Sequence, residues 1–131
     1  MSARATILAA IASVLSTLVS GRVYRSRLEQ LPDVPAIVIE PISEDASEQV
    51  LGQLDRRLQV AVRIFARGDI PDDAADPVLS AAWAALSAPA SLGAEVQVEV
   101  AHSVLWETDD VDTVRATLGI AVGYRTAINA M

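Results

Sequence analysis

Four aspartates fall within eight residues, Asp69, Asp72, Asp73 and Asp76, and a second acidic group, Glu107, Asp109, Asp110 and Asp112, follows later in the chain. Carboxylate oxygens are the hard ligands that Mg²⁺ and Ca²⁺ prefer, but neither group has the spacing of a calcium loop. The first reads more simply as acid gathered at a helix start, where it complements the helix dipole, and the second as a solvated turn. His102 is the only histidine. An imidazole needs partners to work as a base or a metal ligand, and the position of this one among Val100, Val104 and Trp106 marks it as a core histidine. The absence of cysteine removes thiol catalysis and thiolate zinc sites. The sequence also lacks a glycine-rich phosphate loop and a serine nucleophile elbow. No catalytic residue, metal or cofactor is assigned, and the chain reads as a protein that is not an enzyme.

The elements that position these residues follow from composition and periodicity. Of 131 residues, 52% are hydrophobic and 21% charged, enough apolar material for the core of one domain, 1–131, without disulfide or metal support. Ten arginines, no lysine and seventeen acids give a net charge of −7, which disfavours a general nucleic-acid-binding surface. The segment Ala5 to Val19 is shorter than the roughly 20 residues a spanning helix needs. Its Ile7, Leu8, Ile11, Val14, Leu15 and Leu18 recur at helical spacing, so it is expected to be an amphipathic core helix ending near Gly21, with neither a signal peptide nor a membrane segment.

Downstream, a basic stretch, Arg22 to Arg27, precedes a proline-fenced strand over residues 36–40, and residues 43–53 read as a polar, acidic loop. Leu58, Val60, Val62 and Ile64 alternate with mainly polar residues, the mark of a strand with one face in the core. Asp76 and Pro77 suit an N-cap and a first helical residue, and Val78, Leu79, Ala82, Trp83 and Leu86 form the apolar stripe of the helix that follows. Two further alternating strands, from Val96 to Trp106 and from Val114 to Tyr124, are joined by residues 107–112. The expected fold class is α+β in the order α-β-β-α-β-β, with a mainly antiparallel four-stranded sheet and two helices on one of its faces.

The opposite face would carry Arg57, Arg63, Arg115 and Arg125, with Arg56 counted beside them as a candidate contact on the sheet surface, acids on the neighbouring strand, and the low stripe Gly119, Ala121 and Gly123, where another backbone could approach closely. Trp106, at a strand end beside acids, either seals the core edge or anchors a partner. Charge is segregated as well. Residues 1–27 hold four arginines and no acid, +4, whereas residues 28–131 hold six arginines and seventeen acids, −11. In a symmetric assembly the basic end, through Arg22, Arg25 and Arg27, could meet an acidic patch of the next copy, a head-to-tail contact that closes into a ring.

The N-terminal helix ending near Gly21-Arg-Val-Tyr, the PAIVIEP strand, LDRRLQVAVRIFARG, the DPVLSAAWAAL helix, the LWETDD turn and the closing VGYRTAINAM span nearly the whole chain. In this layout it resembles the tail terminator, or minor tail protein U-like, family of long-tailed bacteriophages, which is related to the tail-completion proteins of the neck. The resemblance implies a structural protein of the virion tail or neck, assembled in the host cytoplasm. It would form a ring, a hexamer, on the head-proximal end of the tail tube and stop tube polymerisation. Its expected partners are copies of itself, the tail tube protein and a head-connector or neck protein, with DNA passing the pore without specific binding and no membrane involved. Acidic segments 44–55 and 107–112 would be candidates for the lumen or the ring contacts. The alternatives are another neck protein (a head-tail joining or tail-completion factor), a small metal-dependent enzyme using Asp69 to Asp76, or a dimeric binding module.

Overall fold

The computed structural model describes residues 2–25, 34–88, 92–93, 96–110 and 112–127, and for Gln49, Ala101, His102, Asp109 and Asp110 the backbone alone. Helix α1 covers Ala3–Ser16. The Oγ of Ser2 caps it by accepting from the Ala5 N–H, and Ile7, Leu8, Ile11 and Leu15 form its buried stripe. A 3₁₀ turn, Thr17–Val19, extends it. The chain then reverses through Ser20 (φ 53°) and Gly21 (φ 81°), and the Gly21 N–H satisfies the Ser16 carbonyl at 2.7 Å.

Five strands form one sheet among the described residues: β1 Val23–Arg25, β2 Ala36–Val50, β3 Gln53–Arg67, β4 Gln97–Asp110 and β5 Thr113–Ala127, in the spatial order β1-β2-β3-β5-β4. β1 is parallel to β2, and every other pair is antiparallel. This corrects the expected four-stranded sheet and its α-β-β-α-β-β order. The added strand is three residues long, follows Arg22 and ends in Arg25, so it is too short and too polar for alternation to reveal. β3 and β5 pair along all fifteen residues of each, from Gln53↔Ala127 to Arg67↔Thr113, a ladder of about 50 Å at the usual rise per residue.

Three further boundaries differ from expectation. Residues 43–50 are not a loop but the second half of β2, turned back onto β3 by Leu51 and Gly52, whose φ of 81° suits a residue without a Cβ. β4 runs on to Asp110, so its connection to β5 is two residues rather than six. Helix α2 starts at Pro71 and ends at Ser87. Pro71 loses no hydrogen bond in the first turn, and Asp72 and Asp73 meet the positive end of the dipole, so the helix begins before Asp76 and takes Pro77 into its interior.

Both helices lie on one face. Ile37 and Ile39 of β2, Leu58 to Ile64 of β3 at alternate positions, and Leu118, Ile120 and Val122 of β5 pack with Ile11 and Leu15 of α1 and Leu79 and Leu86 of α2. Parity inverts twice along β2, at Ile42 and again between Ser47 and Val50. One extra residue, Ile42, separates Pro41↔Val60 from Ser43↔Gln59, so the odd residues of β2 face the helices before it, and Glu44 and Ala46 face them after it, until a second extra residue between Ser47 and Val50. The irregularity in β4 adds two residues between Val100↔Ile120 and Val104↔Leu118, which preserves parity and leaves Trp106 on the helix side. One row, Val23, Ile37, Ile64, Ala116 and Trp106, therefore crosses all five strands. No helix among the described residues is long and apolar enough to cross a membrane.

Candidate functional site

The arginines singled out by sequence are mostly engaged within the chain. On the sheet face away from the helices, Arg57 of β3 reaches Glu99 of β4 at 2.9 Å. It does so by passing over β5, where its own partner is Gly123 and that of Glu99 is Ala121. The small residues of β5 thus provide a channel for an ion pair spanning three strands. Arg63 lies 2.7 Å from Glu40, Arg125 lies 2.6 Å from Asp55, and Arg115 donates to Glu107 at 2.9 Å while its guanidinium sits 5.9 Å from the centre of the Phe65 ring. Hydrogen bonding to Asp55, and then its charge, raise the pKa of Arg125. Arg22 donates to the Pro35 carbonyl at 2.8 Å, which ties the end of the helical segment to the start of β2.

Arg25 differs from these. It is exposed at the end of the edge strand β1 and has no side-chain partner among the described residues. Arg27 lies outside the described residues, as do the side chains of His102, Asp109 and Asp110.

Trp106 is 42% exposed at the other edge of the sheet. Asp72, Asp73 and Asp76 of α2 and Thr113 of β5 join it around an open hollow of about 530 Å³. The first of the two sequence-predicted acidic groups and the surface tryptophan are thereby brought together. None of these three aspartates has an ion-pair partner among the described residues. Glu107 and Asp112 of the second group sit instead opposite Arg115 and Arg67, at 2.9 and 3.8 Å.

A polar cluster on the helix side escaped the sequence reading, and it corrects the expected place of Arg56, which is buried there and not on the sheet surface. Glu44, turned inward by the Ile42 bulge, accepts from Arg4 at the start of α1 (3.3 Å from Nε), from Arg56 (3.3 Å) and from the Tyr124 hydroxyl. Arg56, only 8% exposed, also donates to the Thr126 hydroxyl at 2.8 Å. Burial alone pushes the Glu44 carboxyl up. Hydrogen bonds from Arg4 and Tyr124, with the charges of Arg4 and Arg56, reverse this and leave it below the ordinary carboxylate value. Tyr124 is raised by burial first and then by the hydrogen bond and charge of Glu44. The available signal was the even parity of Arg56, which shares a core-facing run with Leu58 and Val60 and therefore needs an anion inside.

No family model and no curated protein sequence matches the chain. Among solved structures, a chain of the virion of a native gene transfer agent particle has the same fold, with a TM-score of 0.55 over 95% of this chain and 96% of that one at 13% sequence identity. The likeness at that identity is one of fold, and it extends over nearly the full length of both chains.

Proposed function

We propose that this chain is a structural component of a phage-type virion and acts as its tail terminator, a ring on the head-proximal end of the tail tube that stops polymerisation and offers the joining surface to the head. The observation that carries the reading is the end-to-end fold likeness to a chain of a gene transfer agent virion, joined to the layout of sequence phrases that resembles the terminator family. The sheet supports it because, among the described residues, no element covers one face and the two terminal strands each keep an open edge, the ordinary means of building rings from one repeated contact. A charge of −7 per copy suits a pore through which DNA slides, because like charge suppresses phosphate contact.

Electron microscopy of the purified protein mixed with tail tubes tests the proposal. The expected result is a ring on one end of each tube and an arrest of further elongation. Density for this chain elsewhere in the neck, with tube ends bare, would assign it to a joining or completion role instead, and no association with tubes or heads would overturn the structural reading altogether.

A further inference from the structure

The two edges of the sheet are complementary. β1 and β4 are the terminal strands, so each has one side of its backbone without a partner strand among the described residues. Bare edges are a liability that folded proteins cover or blunt. β4 is fourteen residues long and carries Leu105 and Trp106 at 61% and 42% exposure, which is poor protection for an edge left in water. Strand directions also agree. β1 runs with β2, and β2, β3, β5 and β4 alternate, so β4 runs opposite to β1 and a β1 placed beside it would continue the sheet in antiparallel sense.

Position along the strands and choice of face agree as well. Trp106 ends the cross-sheet row that begins at Val23, and Arg25 begins the adjacent row, which runs through Ile39, Val62 and Leu118 to Val104. Both residues are on the helix side, in adjacent rows and at opposite edges. The β1 edge offers an exposed guanidinium, and the β4 edge offers the partly exposed Trp106 in a hollow that Asp72, Asp73 and Asp76 also line. Trp is the strongest aromatic partner for a cation, and the carboxylates would complete its coordination.

We infer that the β1 edge of one copy docks along the β4 edge of a second copy, with Arg25 of the first seated against Trp106 between Asp72 and Asp76 of the second. The inference rests on the ring-forming reading above and specifies its repeated contact. The contact is heterologous, so each copy uses both edges and the series closes only as a ring.

The chain has no cysteine, so introduced thiols report one contact at a time. An Arg–Asp pair holds its Cα atoms farther apart than a disulfide allows, so the probe is a short bis-maleimide. The variants are Arg25→Cys and Asp76→Cys, both at exposed positions. The double variant should give a cross-linked ladder ending at the ring, a mixture of the two single variants should stop at dimer, and neither single variant should cross-link alone. Arg25→Glu should weaken association at least about tenfold by sedimentation, and Asp72→Arg with Asp76→Arg should restore it. Cross-linking of Arg25→Cys to itself, or no ladder from the double variant at any concentration, overturns the inference. If tubes are still capped in that case, the terminator reading survives with a different contact; if the ladder forms but tubes stay uncapped, the contact survives and the terminator reading fails.

Discussion

The hydroxyl of Tyr124, on β5, donates its proton to the carboxylate of Glu44, on β2, across the width of β3 and beneath the N-terminus of α1. The two residues are 80 positions apart in sequence. Arg4 and Arg56 converge on the same carboxylate, so one anion ties together the first helix and three strands.

Replacing Glu44 by Gln removes the carboxylate on which Arg4, Arg56 and Tyr124 converge. The expected loss is about 2 kcal/mol, less than the roughly 3–5 kcal/mol for a fully buried pair because the Glu44 side chain is 14% exposed. Tyr124→Phe should cost about 1 kcal/mol. Urea unfolding checks both, with the midpoint falling at unchanged slope.

The same cluster sets a pH window. Glu44 is held below the ordinary carboxylate value, so its contribution is complete above the unfolded value and is lost as pH falls through the folded one. Tyr124 is held above the ordinary phenol value, so its contribution is complete below the unfolded value and is lost as pH rises through the folded one. Stability should therefore be flat from about pH 5 to about pH 9 with respect to these two groups. Glu44→Gln should remove its part of the acid-side loss and bring the alkaline titration of Tyr124, read from tyrosinate absorbance, nearer to the ordinary value.

Pro77 occupies an interior position of α2, where it cannot donate to the Asp73 carbonyl. Pro77→Ala should stabilise the protein by about 1 kcal/mol, the gain in helix being partly offset by a more flexible unfolded chain. Thermal unfolding followed by circular dichroism should show a higher Tm.

The Arg57–Glu99 pair spans three strands but is exposed, at 53% and 69% for the two side chains. Arg57→Ala should change stability by less than about 0.5 kcal/mol, and the change should shrink further in salt. Leu118→Ala, at a fully buried position on the helix side of β5, should cost about 3 kcal/mol. The contrast separates the face that holds the fold from the face that decorates it.

Alternation made β3 and β5 legible because one side of each faces the helices throughout. It failed at β1, where Val23, Tyr24 and Arg25 are too few to show a period. It failed again over 43–50, where an acidic composition suggests a solvated loop although Glu44 and Asp45 occupy regular positions opposite Leu58 and Arg57. The arginines of the outer face were legible as surface groups, but their engagement with Glu40, Asp55, Glu99 and Glu107 depends on strand order and register, which one sequence does not display. The hollow beside Trp106 was hidden for the same reason, since its acids come from a helix that begins earlier than the Asp76-Pro77 pair suggests.

The surplus residue at Ile42 makes the far half of the β2–β3 hairpin separately adjustable. Loss or gain of one amino acid there would exchange which carboxylates are hidden and which are on show, while the ladder between β3 and β5 kept its alignment. A lineage could in this way redraw the display at that end of the molecule without rebuilding its interior.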